Sequence, residues 1–206
     1  MSRSVLAQLR DLSPIRPLTR IEALSVAERQ AMLLLKLSDI QDPPVPEGVI
    51  SELPRFEVYR TDKLIHSGGS EWLTDRKVWT VALKGTDAVT RQRFSLAHEF
   101  KHIIDRPFAR QLYGAVAQYE RLDWQETVCN YFAGCLLMPR PWLKRAWTSA
   151  PQRLSRLATN FEVSQAAMRT RLSQLGLLPV TARCDPPDYP ARQRGAHSAP
   201  TSRHTA

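Results

Sequence analysis

His98-Glu99-Phe100-Lys101-His102, preceded by Arg91-Gln92-Arg93-Phe94-Ser95-Leu96-Ala97, sets two imidazoles four residues apart with a carboxylate beside the first. On an α-helix, positions four apart lie about 40° from each other around the axis and one turn apart along it. Both rings can therefore reach one metal ion, and Glu99 can take a proton from water held there, the arrangement of HExxH zinc hydrolases. The competing reading is two surface histidines on an ordinary amphipathic helix. Context favours the first. Phe94, Leu96, Ala97, Phe100, Ile103 and Ile104 surround the pattern at mostly helical spacing, which predicts a largely buried helix from about Val89 or Thr90 to a point before Pro107.

A catalytic zinc site usually has three protein ligands and an open position. Downstream, Trp124 to Leu137 reads as a second helix with Val128, Tyr131, Phe132, Cys135 and Leu136 available to pack, and Glu126 lies in its expected first turn. Glu126 follows His102 by 24 residues, enough for one helix to end and another to return a carboxylate. Glu120 and Asp123 are rivals, and Cys129 would ligate only as a thiolate. An acid in a first turn also suits the helix macrodipole without any metal. The strongly apolar helix that follows Glu126 favours it as the third ligand.

Upstream, Pro14 and Pro17 break the opening segment, and Ile21 to Leu37 reads as a helix. Ser25 and Glu28 have capping-box spacing, and Ala27, Ala31, Leu34 and Leu35 form an apolar stripe. Pro43, Pro44, Pro46 and Pro54 predict an extended connector. Phe56 to Tyr59, Lys63 to His66 and Val78 to Leu83 read as strands, with turns at Thr61-Asp62 and Ser67-Gly68-Gly69. The expected fold is α+β and mainly helical, with a small antiparallel sheet before the HExxH helix. Val78 to Leu83 is the candidate edge strand for pairing with an extended peptide. A covered internal strand is the alternative, because Trp79, Val81 and Leu83 need burial.

Beyond the second helix, residues 151–177 read as a helix-turn-helix-like hairpin: Leu154, Leu157 and Ala158, a turn at Val163, Ser164 as N-cap, Ala167, Met168 and Leu172, and a C-cap at Gly176. Arg169 and Arg171 lie on its second helix, as in a DNA-reading element. Glu162, however, occupies the turn position often held by glycine and brings a negative charge near any phosphate. The hairpin is therefore expected to pack on the core or recognise protein, with direct DNA binding the less favoured reading.

The chain has 29 Lys and Arg against 20 Asp and Glu, a net charge of +9, but no block of five or six like charges. A basic, solvated surface accounts for that balance as well as a nucleic-acid partner does. Three cysteines, Cys129, Cys135 and Cys184, lack framework spacing and point to a reducing compartment. The opening residues carry charges and prolines where a signal peptide needs an apolar run, and no stretch approaches the length of a membrane span. The expected location is cytoplasmic, with no membrane partner. The expected organisation is a flexible segment over 1–19, a metallopeptidase domain over 20–150, the hairpin over 151–180, and a disordered basic tail over 181–206.

Two long blocks resemble one known family. Arg91 to His102 is similar to the "RxRFTLAHExGH" block of the ImmA/IrrE metallo-endopeptidases, and Glu126 to Pro139 is similar to their "ExxANxFAAxLLMP" block. Ser67 to Trp79 and Leu157 to Leu177 also resemble family segments, so the likeness runs over roughly residues 20 to 178. The departures are Ser95 for threonine, Lys101 for a frequent glycine and Cys129 for alanine; none removes a ligand. The resemblance implies a zincin-like fold, one Zn2+ per chain on His98, His102 and Glu126, and Glu99 as general base. It also implies a helix-turn-helix repressor or antitoxin-like protein as the substrate, in prophage, mobile-element or stress control. A metallopeptidase-like regulator that acts by contact without turnover, and the toxin of a toxin-antitoxin pair, are the alternatives. For the oxyanion, Tyr113, Tyr119, Tyr131, His66 and Arg93 are all candidates that sequence does not rank, and Asp105 is a candidate for supporting an imidazole ligand.

Overall fold

The computed structural model describes residues 3–114, 118–149 and 153–178. In chain order these form α1 (Val5–Arg10), α2 (Arg20–Leu37), α3 (Gly48–Ser51), β1 (Phe56–Thr61), β2 (Gly68–Leu73) and β3 (Val78–Lys84). The helices α4 (Val89–Asp105), α5 (Ala109–Tyr113), α6 (Gln118–Leu137), α7 (Arg140–Ser149), α8 (Leu154–Phe161) and α9 (Gln165–Gln174) follow. The expected tail over 181–206, with Cys184, lies outside the described residues. Among the described residues no helix is long and apolar enough to cross a membrane.

Helix α6 is the spine, with α2 and α4 packed along it. Each helix contributes an apolar stripe: Ala27, Ala31, Leu34 and Leu35 from α2, Phe100, Ile103 and Ile104 from α4, and Val128, Phe132 and Leu136 from α6 are all buried. The Phe100 ring sits 5.5 Å from Phe56 of β1 and 6.3 Å from Phe132 of α6, so the helix carrying the histidines is fixed from both the sheet and the helical side. Helix α2 starts one residue earlier than its apolar pattern predicts, and its capping box is Thr19 with Glu22 rather than Ser25 with Glu28. Glu22 Oε2 accepts from the Thr19 N–H at 2.8 Å, while Thr19 Oγ1 accepts from the Glu22 N–H at 3.3 Å. Burial of Ala23, Val26 and Ala27 in the core requires the helix to be under way before Ser25.

The sheet is mixed rather than antiparallel. Its order is β1-β3-β2, with β3 parallel to β1 and antiparallel to β2. Strand β3 is therefore central and not the edge, as the burial of six of its seven residues requires. The edge strands are β1 and β2, and β2 occupies the Gly68-Gly69 stretch that reads as a turn. Residues 63–66, read as a strand, form a turn and bend that carry the chain across the sheet. A Cβ on Gly68 would meet Glu99 Cγ at 3.3 Å and Ser95 Cβ at 3.5 Å, so this glycine allows β2 to approach α4 closely.

Residues 3–19, within the segment expected to be flexible, are docked on the core. Helix α1 docks through Leu9, which is fully buried, and Arg10 donates to the carbonyls of Ile103 and Ile104 at 2.8 and 3.2 Å. Those carbonyls lie in the last turn of α4, where no intrahelical donor reaches them. Gln30 of α2 donates to the Leu9 carbonyl at 3.0 Å, tying the three helices together.

After α7, which the sequence pattern does not announce, α8 and α9 form the hairpin. Glu162 between them adopts the left-handed conformation (φ 51°, ψ 49°) that glycine usually fills, and Ser164 caps α9 by accepting from the Ala167 N–H. The strain at Glu162 is offset by a contact: its carboxylate lies 3.1 Å from Arg93 Nη1 on α4. Arg171 of α9 is also turned inward. Its guanidinium is buried, donates to the Met138 carbonyl at 3.2 Å and lies over the Tyr131 ring at 5.2 Å. Of the two arginines on this helix, Arg171 is thus a packing residue.

Candidate metal centre

His98 and His102 sit on the face of α4 opposite Phe100 and Ile104, one turn apart, and their Nε2 atoms approach to 3.0 Å. Glu126 comes from α6, which crosses α4. Its two oxygens lie 3.2 Å from His98 Nε2 and 3.1 Å from His102 Nε2. Because α6 begins at Gln118, Glu126 lies well inside the helix and not in its first turn, so macrodipole stabilisation does not account for it. The two imidazole nitrogens approach each other to 3.0 Å and each has a different Glu126 oxygen at 3.1 to 3.2 Å, so the three residues converge closely enough for one ion with bonds of about 2.0–2.1 Å. The set of two imidazoles and one carboxylate, with the carboxylate side open, is that of a catalytic zinc site. Among the described residues it is also the cluster of His, Cys, Asp and Glu that could hold an ion.

The second ring nitrogens are also engaged. Asn130, one turn beyond Glu126 on α6, places Oδ1 2.9 Å from His98 Nδ1. That oxygen can only accept, so Nδ1 carries the proton and Nε2 is left free for a metal. The Gln125 side-chain amide lies 3.3 Å from His102 Nδ1. The atom facing the ring is the amide nitrogen, a donor, so this contact does not hold His102 in the tautomer that Asn130 gives His98. Burial lowers the pKa of His102, with the neighbouring His98 adding to the effect, against the opposing pull of Glu126, Glu99 and Asp105. The imidazole is thus neutral at neutral pH, the form that binds metal.

Glu99 faces the same cleft and is held from the sheet: Ser70 of the edge strand β2 donates its Oγ–H to Glu99 Oε2 at 2.8 Å. The cleft has a volume of about 830 Å³ and is bounded by β2, α4 and α6. Its rim includes His66 and two arginines at the ends of α4, Arg91 and Arg106.

Of the supporting residues expected from sequence, His66 lines the cleft, whereas Arg93, Asp105, Tyr113 and Tyr131 do not. Arg93 is turned away from the cleft, donating to the Val45 carbonyl at 2.9 Å and pairing with Glu162. Asp105 is fully buried behind α4, accepting from Lys101 Nζ at 2.6 Å and from the Tyr113 hydroxyl at 2.5 Å. Neither it nor Tyr113 lines the cleft, and Asp105's charge, after burial, pushes the Tyr113 hydroxyl pKa up. Tyr119 belongs to α6, but its side chain lies outside the described residues. Tyr131 points to Glu28, and Cys129 is buried with its thiol pushed well up by that burial, so it offers no thiolate. Of the rivals, Asp123 does not join the cluster and lies 3.8 Å from Arg20, while the side chain of Glu120 lies outside the described residues. Sequence reasoning missed Ser70, Gln125 and Asn130. Asn130 had a usable signal, the four-residue helical spacing from Glu126; nothing local marks Ser70.

Residues 66–173, more than half of the chain, match the peptidase M78 family model described as the IrrE N-terminal-like domain. The chain belongs to this family. Its IrrE-like region contains both histidines, Glu99 and Glu126. A curated relative, the radiation response metalloprotease IrrE of Deinococcus radiodurans, is 33% identical over 113 residues, which cover 52% of this chain. The match spans only 34% of that relative's length. A solved structure, a Mycobacterium tuberculosis transcriptional regulator, superposes with a TM-score of 0.57 at 19% identity over 83% of this chain and 52% of that one. At that identity the likeness shows a shared fold. The IrrE-like family is one of metallopeptidases, and the donor set on α4 and α6 suits a metal.

Proposed function

We propose that this chain is a cytoplasmic zinc-dependent endopeptidase that cuts a DNA-binding repressor or an antitoxin-like regulator. The observation that carries the catalytic part is the convergence of His98, His102 and Glu126 at mutual distances of 3.0 to 3.2 Å, with Glu99 in the same cleft. Zinc bound there would polarise a peptide carbonyl and acidify water. Glu99 takes the proton of the attacking water and returns it to the amine nitrogen that leaves. Ser70 orients that carboxylate, and Asn130 holds the His98 imidazole in the ligating tautomer. The edge position of β2 supports pairing with an extended substrate backbone. The reduced, buried Cys129 and Cys135 fit a cytoplasmic site of action.

The regulator as substrate rests on the family, whose curated relative is named for a radiation response, and not on any group in the cleft. The inward-facing Arg171 favours protein over DNA as the partner of the hairpin. The test is incubation of the zinc-loaded protein with a helix-turn-helix regulator encoded beside it. The expected result is discrete cleavage that a chelator abolishes and added zinc restores. An intact regulator whose DNA binding is nonetheless released would replace proteolysis with regulation by contact.

A further inference from the structure

The metal cleft does not end at His98. A second cavity of about 700 Å³ lies between α6 and α9, and it shares Arg91, Phe94 and Asn130 as walls with the first. The two cavities therefore adjoin at these residues, and together they are taken as one groove for an extended peptide. Its far part is lined by small side chains, among them Ala166, Ala167 and Gly134, which leave room for a substrate side chain.

The charges along this groove are of one sign once the metal centre is set aside. Glu99 and Glu126 belong to that centre, where a bound divalent ion would offset them. The remaining ionised side chains on the walls are Arg91, Arg106 and Arg171. Arg171 is buried and committed to the Met138 carbonyl and the Tyr131 ring, and Arg106 lies over Trp79 at 5.2 Å. Arg91 is different. It is exposed at the junction of the two cavities, its Nε donates to Ser67 Oγ at 3.1 Å, and no carboxylate among the described residues pairs with it. That hydrogen bond anchors the guanidinium and leaves its two terminal nitrogens for a planar acceptor, which a carboxylate fills in bidentate fashion. Low-dielectric walls of a cleft also concentrate the field of such a cation.

We infer that Arg91 is a specificity-determining residue that receives an acidic side chain of the substrate where the peptide passes from the metal centre into the α6–α9 chamber. This rests on the peptidase reading, and it commits the groove to a peptide carrying Asp or Glu close to the scissile bond. No other wall residue offers an exposed, uncommitted cation at that junction among the described residues.

The test is digestion of a proteome-derived peptide library by the zinc-loaded protein, with products read by mass spectrometry. Wild type should enrich Asp and Glu at one position near the cut. Arg91→Glu should shift that position towards Lys and Arg. On a single acidic peptide it should raise KM by about tenfold to a hundredfold with little change in kcat, as expected for loss of a charged hydrogen bond. Arg91→Lys should retain part of the preference, and metal content and melting temperature should stay at wild-type values. An unchanged profile in Arg91→Glu, or no acidic enrichment in wild type, overturns the inference. If wild type cuts nothing, the peptidase reading fails on its own. Fluorescence anisotropy then decides the groove: preferential binding of a labelled Asp/Ala peptide over a Lys/Ala peptide, lost in Arg91→Glu, upholds it, and equal binding refutes it.

Discussion

Glu99→Gln should leave zinc at one ion per chain and lower peptide hydrolysis by about 10²–10⁴-fold, the usual contribution of a positioned general base. The amide has nearly the shape of the carboxylate, so Ser70 can still donate to its oxygen and β2 keeps its place against α4. What is lost is the basic site alone. Steady-state hydrolysis of a peptide substrate, measured beside metal content, checks this. The loss should fall on kcat, with KM nearly unchanged, because Glu99 acts on the proton and not on the peptide backbone. A variant that keeps its zinc and most of its turnover would remove Glu99 from the chemistry and leave regulation by contact as the better account.

Lys101→Ala should destabilise the fold by about 3–5 kcal/mol, the usual cost of leaving one member of a buried ion pair alone. Lys101 and Asp105 are 1% and 0% exposed and paired at 2.6 Å, one turn apart on the hidden face of α4. Gln30 of α2 accepts from Lys101 at 2.7 Å, and the Tyr113 hydroxyl donates to Asp105. This quartet satisfies both charges and joins α2, α4 and the segment after it. Truncating the lysine leaves the Asp105 carboxylate in the core with only the tyrosine. For a chain of this size the melting temperature should fall by roughly 6–20 °C. The double variant Lys101→Met with Asp105→Asn should recover part of the loss, since two neutral groups can share the site at a smaller cost. Thermal unfolding of the metal-free protein measures both. A single variant that melts within about a degree of wild type would show that Lys101 contributes little more than a solvated surface lysine.

Residues that act through local spacing are legible in the amino-acid sequence alone. The helix over Val89–Asp105, its apolar face and the pair His98 and His102 follow from a 3.6-residue period, and Ser164 and Gly176 mark α9 by capping chemistry. Features that depend on contacts between distant segments are not legible in this way. Gly68-Gly69 signals a turn in isolation, yet the close approach of Glu99 makes it a strand. Val78 to Leu83 has the composition of an edge or a central strand equally well, and only pairing with β1 on one side and β2 on the other decides. Pro14 and Pro17 break up the opening segment, and its docking depends on distant partners: α4 presents carbonyls for Arg10, and Leu9 enters the core. Asp105 stands close to His102 in sequence, but three residues on a helix turn a side chain enough to face the core. There Lys101, at a position where the family often has glycine, supplies its counter-charge.

The most direct test of the central claim is zinc stoichiometry by elemental mass spectrometry on purified wild type, His98→Ala and Glu126→Ala. One zinc per chain in wild type, falling towards zero in His98→Ala and strongly weakened in Glu126→Ala, is the predicted result. His98→Ala with wild-type zinc content would contradict the site and the mechanism built on it.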